Sequence, residues 1–327
     1  MNHRERLEAV LAGARHDRVP VALWRHFPVD DQEPASLAAA TIDYQRSFDF
    51  DLIKVTPASS FCIKDWGAKD EWRGASEGTR EYTFRIIQRP DDWEQLHVLD
   101  VMKGWLGGQL ECLRIVTREM GAETPVIQTI FSPLAQAKNL VGNANLLVHI
   151  RKHPSELHRG LKTIAETTLR FIEAAEQTGI AGIFYAIQHA QYHLLTEAEY
   201  QEFGRAYDLA ILEAVKELWL NMLHLHGENV MFDLFREYPI QILNWHDQDT
   251  LPSLREGLTH FPGVVCGGLQ RERTMVLGTP DQVAAEAQAA IQATEGRRFI
   301  LGTGCVVPIT APRANLLAAR QVVEKSG

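Results

Sequence analysis

The sequence predicts an α/β protein, a single (β/α)8 TIM barrel formed by residues 1–327. Eight short apolar segments alternate with helical patterns along the whole chain, which is typical of a parallel sheet covered by helices. None of these segments is followed by a glycine-rich dinucleotide fingerprint, so a closed barrel is favoured over an open sheet. The chain has 327 residues and is 45% hydrophobic, enough for one large core without disulfides.

The strands are predicted where short apolar runs end in polar or turn-forming residues. In chain order they are residues 19–27, 52–59, 125–132, 182–188, 222–226, 241–246, 264–268 and 299–306. Residues 80–88 alternate polar and apolar side chains. This alternation predicts a small accessory strand inserted after the second barrel strand.

Helices are predicted between the strands, where apolar residues recur at helical spacing. Two of them carry recognisable start signals. Thr196 and Glu199 form a capping box, and Pro280 follows Thr279 in the first turn of its helix. The predicted helices are residues 34–47, 105–120, 155–178, 197–220, 281–293 and 313–324.

Composition and charge exclude several classes of protein. The net charge is −9, and no cluster of lysine and arginine interrupts it, so we expect no nucleic-acid partner. The N-terminus reads as an amphipathic helix, not a signal peptide, and no apolar stretch is long enough to span a membrane. The four cysteines contain no CxxC pair, which is typical of reduced thiols. We therefore expect a cytoplasmic protein.

Polar side chains gather at the predicted C-terminal ends of the strands, where barrels of this type hold their active sites. A set this rich in ionisable groups predicts an enzyme. The set comprises Trp24, Arg25, His26, Lys54, Ser132, Gln188, His189, His224, His226, His246, Asp247, Gln270, Arg271 and Cys305.

Three of these residues form a candidate metal site. His224 and His226 are separated by one residue at the end of a predicted strand, so both imidazoles point to the same face. Cys305 ends the last predicted strand and can meet them. Two imidazoles and one thiol would bind zinc or another divalent metal and leave a fourth position open for chemistry. The alternative is two hydrogen-bonded histidines beside a buried structural cysteine.

The ends of two other strands supply further candidates. His246 and Asp247 could act as an acid/base pair or orient a ligand histidine, and the alternative is a helix cap beside a solvated imidazole. Gln188 and His189 follow the fourth predicted strand. We expect them to line a pocket for a small-molecule substrate.

Arg25 and Lys54 are candidate cations for a substrate carboxylate or phosphate. For Lys54 the alternative is a buried ion pair with Asp51 or with another carboxylate at a strand end.

Several stretches resemble the uroporphyrinogen decarboxylase superfamily. Residues 302–316, which begin Gly302-Thr303-Gly304-Cys305, resemble its last strand and helix. Known members adopt a single (β/α)8 barrel, so the resemblance implies the fold that the alternation of segments predicts. Similar matches are Arg18-Val19-Pro20-Val21, Phe50-Asp51-Leu52-Ile53-Lys54-Val55, Gly267-Gly268-Leu269 and Leu277-Gly278-Thr279-Pro280.

One branch of the superfamily consists of uroporphyrinogen decarboxylases, which use an arginine-rich N-terminal loop and no cofactor. Arg25 matches the first arginine of that loop, and the resemblance implies that it binds substrate. The second arginine is absent, and Asp30 and Asp31 follow instead. Two aspartates oppose the binding of a polycarboxylate. Decarboxylation, of uroporphyrinogen III or of a smaller carboxylate, therefore stands as an alternative function.

The other branch consists of zinc-dependent, corrinoid-linked methyltransferases, whose ligands are His-x-Cys near the fifth strand and a cysteine in the last strand. His224 matches the first ligand and Cys305 the third, whereas His226 stands where the family has cysteine. The resemblance implies metal-assisted transfer of a methyl or other one-carbon group. An imidazole in place of a thiolate makes the metal a stronger Lewis acid but a poorer donor of electron density to a bound thiolate.

The resemblance also implies partners. The chain lacks the Asp-x-His-x-x-Gly pattern of corrinoid carriers, so any corrinoid would come from a separate carrier protein. Superfamily members include homodimers, so a homodimer is one possible state here, and the sequence leaves the oligomeric state open. A non-catalytic tetrapyrrole- or corrinoid-binding protein remains the third alternative.

Overall fold

Seven parallel strands form one curled sheet in the computed structural model, which describes residues 1–325. Residues 326 and 327 of the predicted domain lie outside the described part. Strands β2 and β3 pair only with each other, and the other seven follow one another in chain order. The strands are β1 (Ile53–Val55), β2 (Lys69–Glu71), β3 (Glu81–Phe84), β4 (Val126–Phe131), β5 (Gly182–Ile187), β6 (Met222–Leu225), β7 (Ile242–Trp245), β8 (Val264–Leu269) and β9 (Phe299–Thr303).

A short segment around Val21 closes this sheet into a barrel. Val21 pairs in parallel with Leu301 of β9. The backbone of Leu301 accepts from Ala22 at 2.8 Å and donates to Pro20 at 2.9 Å. On its other side, the carbonyl of Val21 accepts from the amide of Asp51, just before β1, at 2.8 Å. The segment thus lies between β9 and β1, and the predicted (β/α)8 barrel is confirmed.

The first predicted strand, 19–27, is much shorter than expected. Pro20 has no N–H to donate. The amide of Val21 donates to the carboxylate of Asp51 at 2.7 Å instead of to a neighbouring strand. The ladder is therefore limited to the bonds around Val21, and the rest of the segment has no strand partner.

The helices cover the barrel from outside and mostly begin where the sequence predicts. Both predicted start signals are confirmed, with the side chains of Thr196 and Thr279 capping their helices. The helix predicted over 197–220 ends at Ala214 and contains a π-helical turn, Gln201–Arg205. The helices are α1 (His3–Leu11), α2 (Pro34–Phe48), α3 (Gly104–Met120), α4 (Pro133–Val141), α5 (Asn143–Lys152), α6 (Pro154–Glu176), α7 (Glu197–Tyr200), α8 (Ala206–Ala214), α9 (Leu254–His260), α10 (Pro280–Thr294) and α11 (Arg313–Val322).

Among residues 1–325, no helix combines the length and the apolar character that a membrane crossing requires.

The accessory element after the second barrel segment is a hairpin of two strands. The predicted strand corresponds to β3, but its antiparallel partner β2 was not predicted, because its three charged residues carry no apolar pattern. The loop between them contacts the barrel mouth. Gly78 has a φ of +79°, and a Cβ there would lie 2.6 Å from the Cβ of His26. A glycine at this position therefore lets the hairpin close over the mouth.

A buried carboxylate, Asp51, ties the N-terminal helix to the bottom of the barrel. Its side chain is fully buried and accepts hydrogen bonds from Arg6 at 2.6 Å and from Arg18 at 2.7 Å. His3 contributes a further contact at 2.9 Å. Burial alone would raise the pKa of Asp51, but these partners outweigh burial and lower the pKa to about 2.

A second buried carboxylate, Asp208, predicts a pH dependence of stability. It accepts hydrogen bonds from Tyr185 at 2.7 Å and from Tyr200 at 2.5 Å, yet burial raises its pKa to about 7. The folded protein binds this proton more tightly than the unfolded chain does, so the contribution to stability is complete at low pH. It is lost as pH rises from about 4 to 7. We expect the free energy of unfolding to fall over this range by up to about 4 kcal/mol more in the unmutated protein than in Asp208→Asn. Urea unfolding at pH 4.5 and pH 8 measures this difference, and parallel pH profiles would contradict it.

Candidate metal centre

The C-terminal ends of β6, β7 and β9 bring four metal-binding side chains together. His224 lies in β6 and His226 directly after it, while His246 follows β7 and Cys305 follows β9. One donor atom from each of the four residues lies within 4.8 Å of every other. The three residues grouped from the sequence thus meet in space, and His246 joins them.

Strand register explains why the histidines meet. His224 of β6 is the partner of Asn244 of β7, and Leu225 is the partner of Trp245. The next residue on each strand, His226 and His246, therefore lies beside the other, with ring centres 5.0 Å apart. Parallel strands of equal register hold side chains at the same depth of a barrel.

The glycine before Cys305 allows the last strand to approach this pair. A Cβ on Gly304 would lie 2.6 Å from the Cα of His246 and 2.7 Å from the carbonyl oxygen of Trp245. Both distances are too short for any other residue at this position. The Sγ of Cys305 then lies 3.8 Å from Nδ1 of His226.

Asn244 determines which nitrogen of His224 is free. Its amide nitrogen donates to the carbonyls of Cys266 at 2.9 Å and Thr303 at 3.0 Å, so its Oδ1 must face His224. Nδ1 of His224 therefore carries the proton and donates to that oxygen at 2.7 Å. Nε2 is left as a bare lone pair, buried and without a hydrogen-bond partner in the part of the chain that the structure describes. Burial lowers the pKa of His224, which favours the neutral imidazole that binds metals.

Asn244 is accordingly expected to support metal affinity without contacting the metal. Replacement by leucine removes the acceptor that fixes the tautomer and ring orientation of His224. We expect Asn244→Leu to weaken zinc binding by about 10- to 100-fold. Competition with a chromophoric chelator measures the affinity, and unchanged binding would show that the bond at Nδ1 has no such role. Asn139→Leu, which changes a buried asparagine outside the four-residue cluster, is the matched control.

The electrostatics of the cluster favour a thiolate. Burial alone would raise the pKa of Cys305, but the imidazoles of His224, His226 and His246 outweigh it and hold the pKa well below its usual range. Thiolate and neutral imidazole are the forms that bind zinc. Nε2 of His246, like that of His224, is buried and has no hydrogen-bond partner among residues 1–325. Two buried imidazole nitrogens without such partners, beside a thiolate, fit a divalent metal better than they fit a core sealed by hydrogen bonds.

A cavity of about 260 Å³ opens from this cluster towards the accessory hairpin. His224, His226 and Cys305 form part of its wall, and the hairpin contributes Thr79 and Tyr82. Aromatic side chains form part of the cavity wall beside the metal-binding end. The ring of Phe184 stacks on His224 with centres 5.3 Å apart, and Trp24 lies edge-on to Phe184.

Two predicted substrate-binding residues line this cavity. Lys54 is buried, and burial lowers its pKa to about 7. The ion pair with Asp51 that was its alternative does not form, because Asp51 is occupied by Arg6 and Arg18. Gln188 also lines the cavity and accepts a hydrogen bond from Lys138 at 2.7 Å.

The other two predicted substrate-binding residues, Arg25 and His189, lie outside this lining. Arg25 lies with its guanidinium carbon 5.3 Å from the ring centre of Phe27, and its Nη1 faces the carbonyl of Ile309 at 3.4 Å. His189 is buried and contacts Asn143 Oδ1 at 3.2 Å. No carboxylate within residues 1–325 forms an ion pair with Arg25.

Asp247 turns away from the metal cluster. Its Oδ2 accepts from the amide of Gly268 at 3.0 Å and from Gln248 at 2.7 Å, and burial raises its pKa to about 7. A Cβ on Gly267 would lie 2.3 Å from Oδ1, so the carboxylate packs directly against β8. Asp247 and His246, paired in the sequence prediction, thus face different surroundings.

Sequence reasoning missed two residues of the site. Asn244 lies two residues before His246, as His224 lies two before His226, and this repeated spacing was the available signal. Lys138 lies in α4, a helix that was not predicted, and no motif pointed to it.

Comparisons with known proteins agree with this architecture. A family model described as uroporphyrinogen decarboxylase (URO-D) matches residues 2–326. The methylcobamide:CoM methyltransferase MtbA of Methanosarcina acetivorans is 22% identical over 236 residues, which are 71% of this chain and 67% of that protein. Among solved structures, a methyltransferase from Methanosarcina mazei superposes with a TM-score of 0.87 at 18% identity and covers 100% of this chain and 99% of its own. A B12-independent methionine synthase from Shewanella sp. W3-18-1 gives a TM-score of 0.59 at 12% identity, over 94% and 93% of the two chains.

Proposed function

Because the chain belongs to the uroporphyrinogen decarboxylase family, we propose that it is a metal-dependent methyltransferase that moves a methyl group from a corrinoid to a small thiol. The observation that carries this proposal is the cluster of His224, His226, His246 and Cys305 at the mouth of the barrel. The similarity to a methylcobamide:CoM methyltransferase supports methyl transfer over decarboxylation.

The residues of the cluster would hold the metal and leave the cavity for the substrate. His224, His226 and Cys305 line the cavity, whereas His246 approaches from the neighbouring strand end. A zinc or other divalent ion bound there would act as a Lewis acid and stabilise a thiolate nucleophile at neutral pH. The apolar wall of Trp24 and Phe184 excludes water from that side, which strengthens electrostatic interactions at the reacting sulfur.

Of the two substrates, the cavity is large enough only for the thiol. A volume of about 260 Å³ suits a small thiol but lies below the roughly 300–1,000 Å³ that accommodates a drug-sized ligand. A corrinoid is larger still, so its methyl group would have to be presented at the mouth. We propose that a separate corrinoid protein presents it.

The direct test is methyl transfer from methylcob(III)alamin to a thiol, followed by the loss of the cobalt–carbon absorbance and by detection of the thioether. We expect turnover by the zinc-loaded protein and none after metal removal with a chelator. Turnover that is equal with and without the metal would contradict the proposal. Anaerobic incubation with uroporphyrinogen III tests the decarboxylase alternative, and coproporphyrinogen formation would favour that function instead.

A further inference from the structure

A second cavity lies beside the metal cavity, between the starts of α2 and α3. Its volume is also about 260 Å³, and Pro57 lines both cavities. Three of its lining residues, Asp31, Glu33 and Asp65, carry carboxylates, whereas no lysine or arginine of the described chain lines it. The apolar part of its wall comes from Pro34, Leu37, Pro57, Phe61 and Trp105. The lining therefore combines negative charge with apolar surface.

Asp31 is a buried carboxylate with one oxygen unpartnered. Its side chain is fully buried, and Oδ1 accepts from the amide nitrogen of Gln32 at 2.6 Å. Oδ2 is buried and has no hydrogen-bond partner among residues 1–325. The one cation that pairs with Asp31 in this part of the chain is Arg80, at the long distance of 3.7 Å from Oδ1. Burial raises the pKa of Asp31, as expected for a buried carboxylate whose partners are too few.

The other two carboxylates of this cavity have no cation of their own. Within the described residues, neither Glu33 nor Asp65 forms an ion pair. Asp65 instead accepts from two backbone amides at the start of α3, at 3.0 Å and 3.1 Å. The two cations beside the cavity, Lys64 and Arg80, both pair with Asp70, at 3.2 Å and 2.8 Å. The negative charge around the cavity therefore exceeds the positive charge.

The three carboxylates do not converge as metal ligands do. In the part of the chain that the structure describes, the one group of three or more His, Cys, Asp or Glu donors within 4.8 Å of one another is the cluster of the candidate metal centre. Calcium and magnesium require several oxygens at about 2.0–2.6 Å from the ion. An organic cation instead bonds to one carboxylate and places its carbon atoms against apolar side chains. The counter-charge that fits this cavity is therefore molecular.

We propose that this second cavity binds a small alkylammonium ion, whose head group donates to Oδ2 of Asp31 and whose carbon chain packs against the apolar wall. Gln109 offers a further acceptor, because its amide nitrogen donates to Gln128 at 2.8 Å and its carbonyl oxygen stays available. The ring of Trp105 already holds the ammonium of Lys64 at 3.8 Å from its centre, so this wall accepts such a group. Binding here involves neither the metal cluster nor methyl transfer and is independent of the proposed function.

Calorimetry with n-butylammonium tests this site, on zinc-loaded and on chelator-treated protein, with 1-butanol and butyrate as neutral and anionic probes of similar size. We expect n-butylammonium to bind at least about 10-fold more tightly than either, with and without the metal. Asp31→Asn keeps the shape of the side chain and removes its charge, so it should weaken this binding by about 10- to 100-fold. Glu33→Gln changes an exposed carboxylate of the same cavity and should weaken it by about two- to fivefold.

Asp30→Asn is the matched control for these variants. It removes a carboxylate next to Asp31 that does not line the cavity, and it should keep the affinity within about twofold. Circular dichroism verifies folding, and Glu33→Gln decides the question if Asp31→Asn does not fold. Equal affinities for the three probes, or unchanged n-butylammonium binding in both variants, would overturn the inference. Binding seen only in the zinc-loaded protein would place the amine on the metal and would overturn it as well.

Discussion

The Cys305→Ser variant is expected to lose zinc affinity by at least about 100-fold, more than the loss of an outer partner typically causes. Cys305 supplies the only thiolate among the four clustered side chains. A serine hydroxyl stays protonated at neutral pH and is a poor zinc ligand, so three imidazoles would have to hold the metal alone. Methyl transfer should fall to the background rate measured without metal.

The matched control for this variant is Cys266→Ser. Cys266 is also buried, but it lies in β8 and is not one of the four donors, and burial raises its pKa instead of lowering it. Chelator competition on both variants, with circular dichroism to verify folding, measures the effect. Equal zinc affinities for the two variants would show that Cys305 is a structural cysteine, the alternative that the sequence left open.

The second large effect is expected for Asp51→Ala, which should lower the free energy of unfolding by about 3–5 kcal/mol. Asp51 is fully buried, and its removal leaves the nearly buried guanidinium groups of Arg6 and Arg18 without their shared partner. It also removes the acceptor for the amide of Val21, so the segment that closes the barrel loses a bond. Because its pKa is lowered to about 2, this contribution is present above about pH 4 and is lost as pH falls towards 2.

Asp49→Asn provides the comparison for Asp51, because Asp49 has a φ of +55°, which asparagine tolerates better than alanine. Asp49 also contacts His3, at 3.1 Å, but its side chain is 60% exposed. Exposed ion pairs contribute at most about 1 kcal/mol, so we expect this variant to unfold almost as the unmutated protein does. Urea denaturation at pH 7 measures the free energy of unfolding of both variants. Similar decreases in the Asp49 and Asp51 variants would contradict a special role for the buried carboxylate.

The barrel was predictable because its strands are short, apolar and regularly spaced, and these properties are local. The segment around Val21 was less predictable, since its amide bonds to a side chain 30 residues away. The hairpin strand β2 was missed for the opposite reason. Its three residues are all charged, so only the pairing with β3 makes it a strand.

The candidate site was predictable where residues lie on one strand and less so where strands meet. His224 and His226 share β6 and its end, so their common direction follows from the sequence alone. The addition of His246 depends on the register between β6 and β7, which no local pattern reveals. The role of Asn244 depends on carbonyls from two further strands.

Metal analysis of protein purified without added metal shows whether His224, His226, His246 and Cys305 form a metal site. We expect roughly one zinc or other divalent ion per chain, because the four donors already converge. After replacement by cobalt(II), a thiolate-to-cobalt absorption band should be present and should be lost in Cys305→Ser. Protein that contains no stoichiometric metal and takes up no cobalt would contradict the presence of this site.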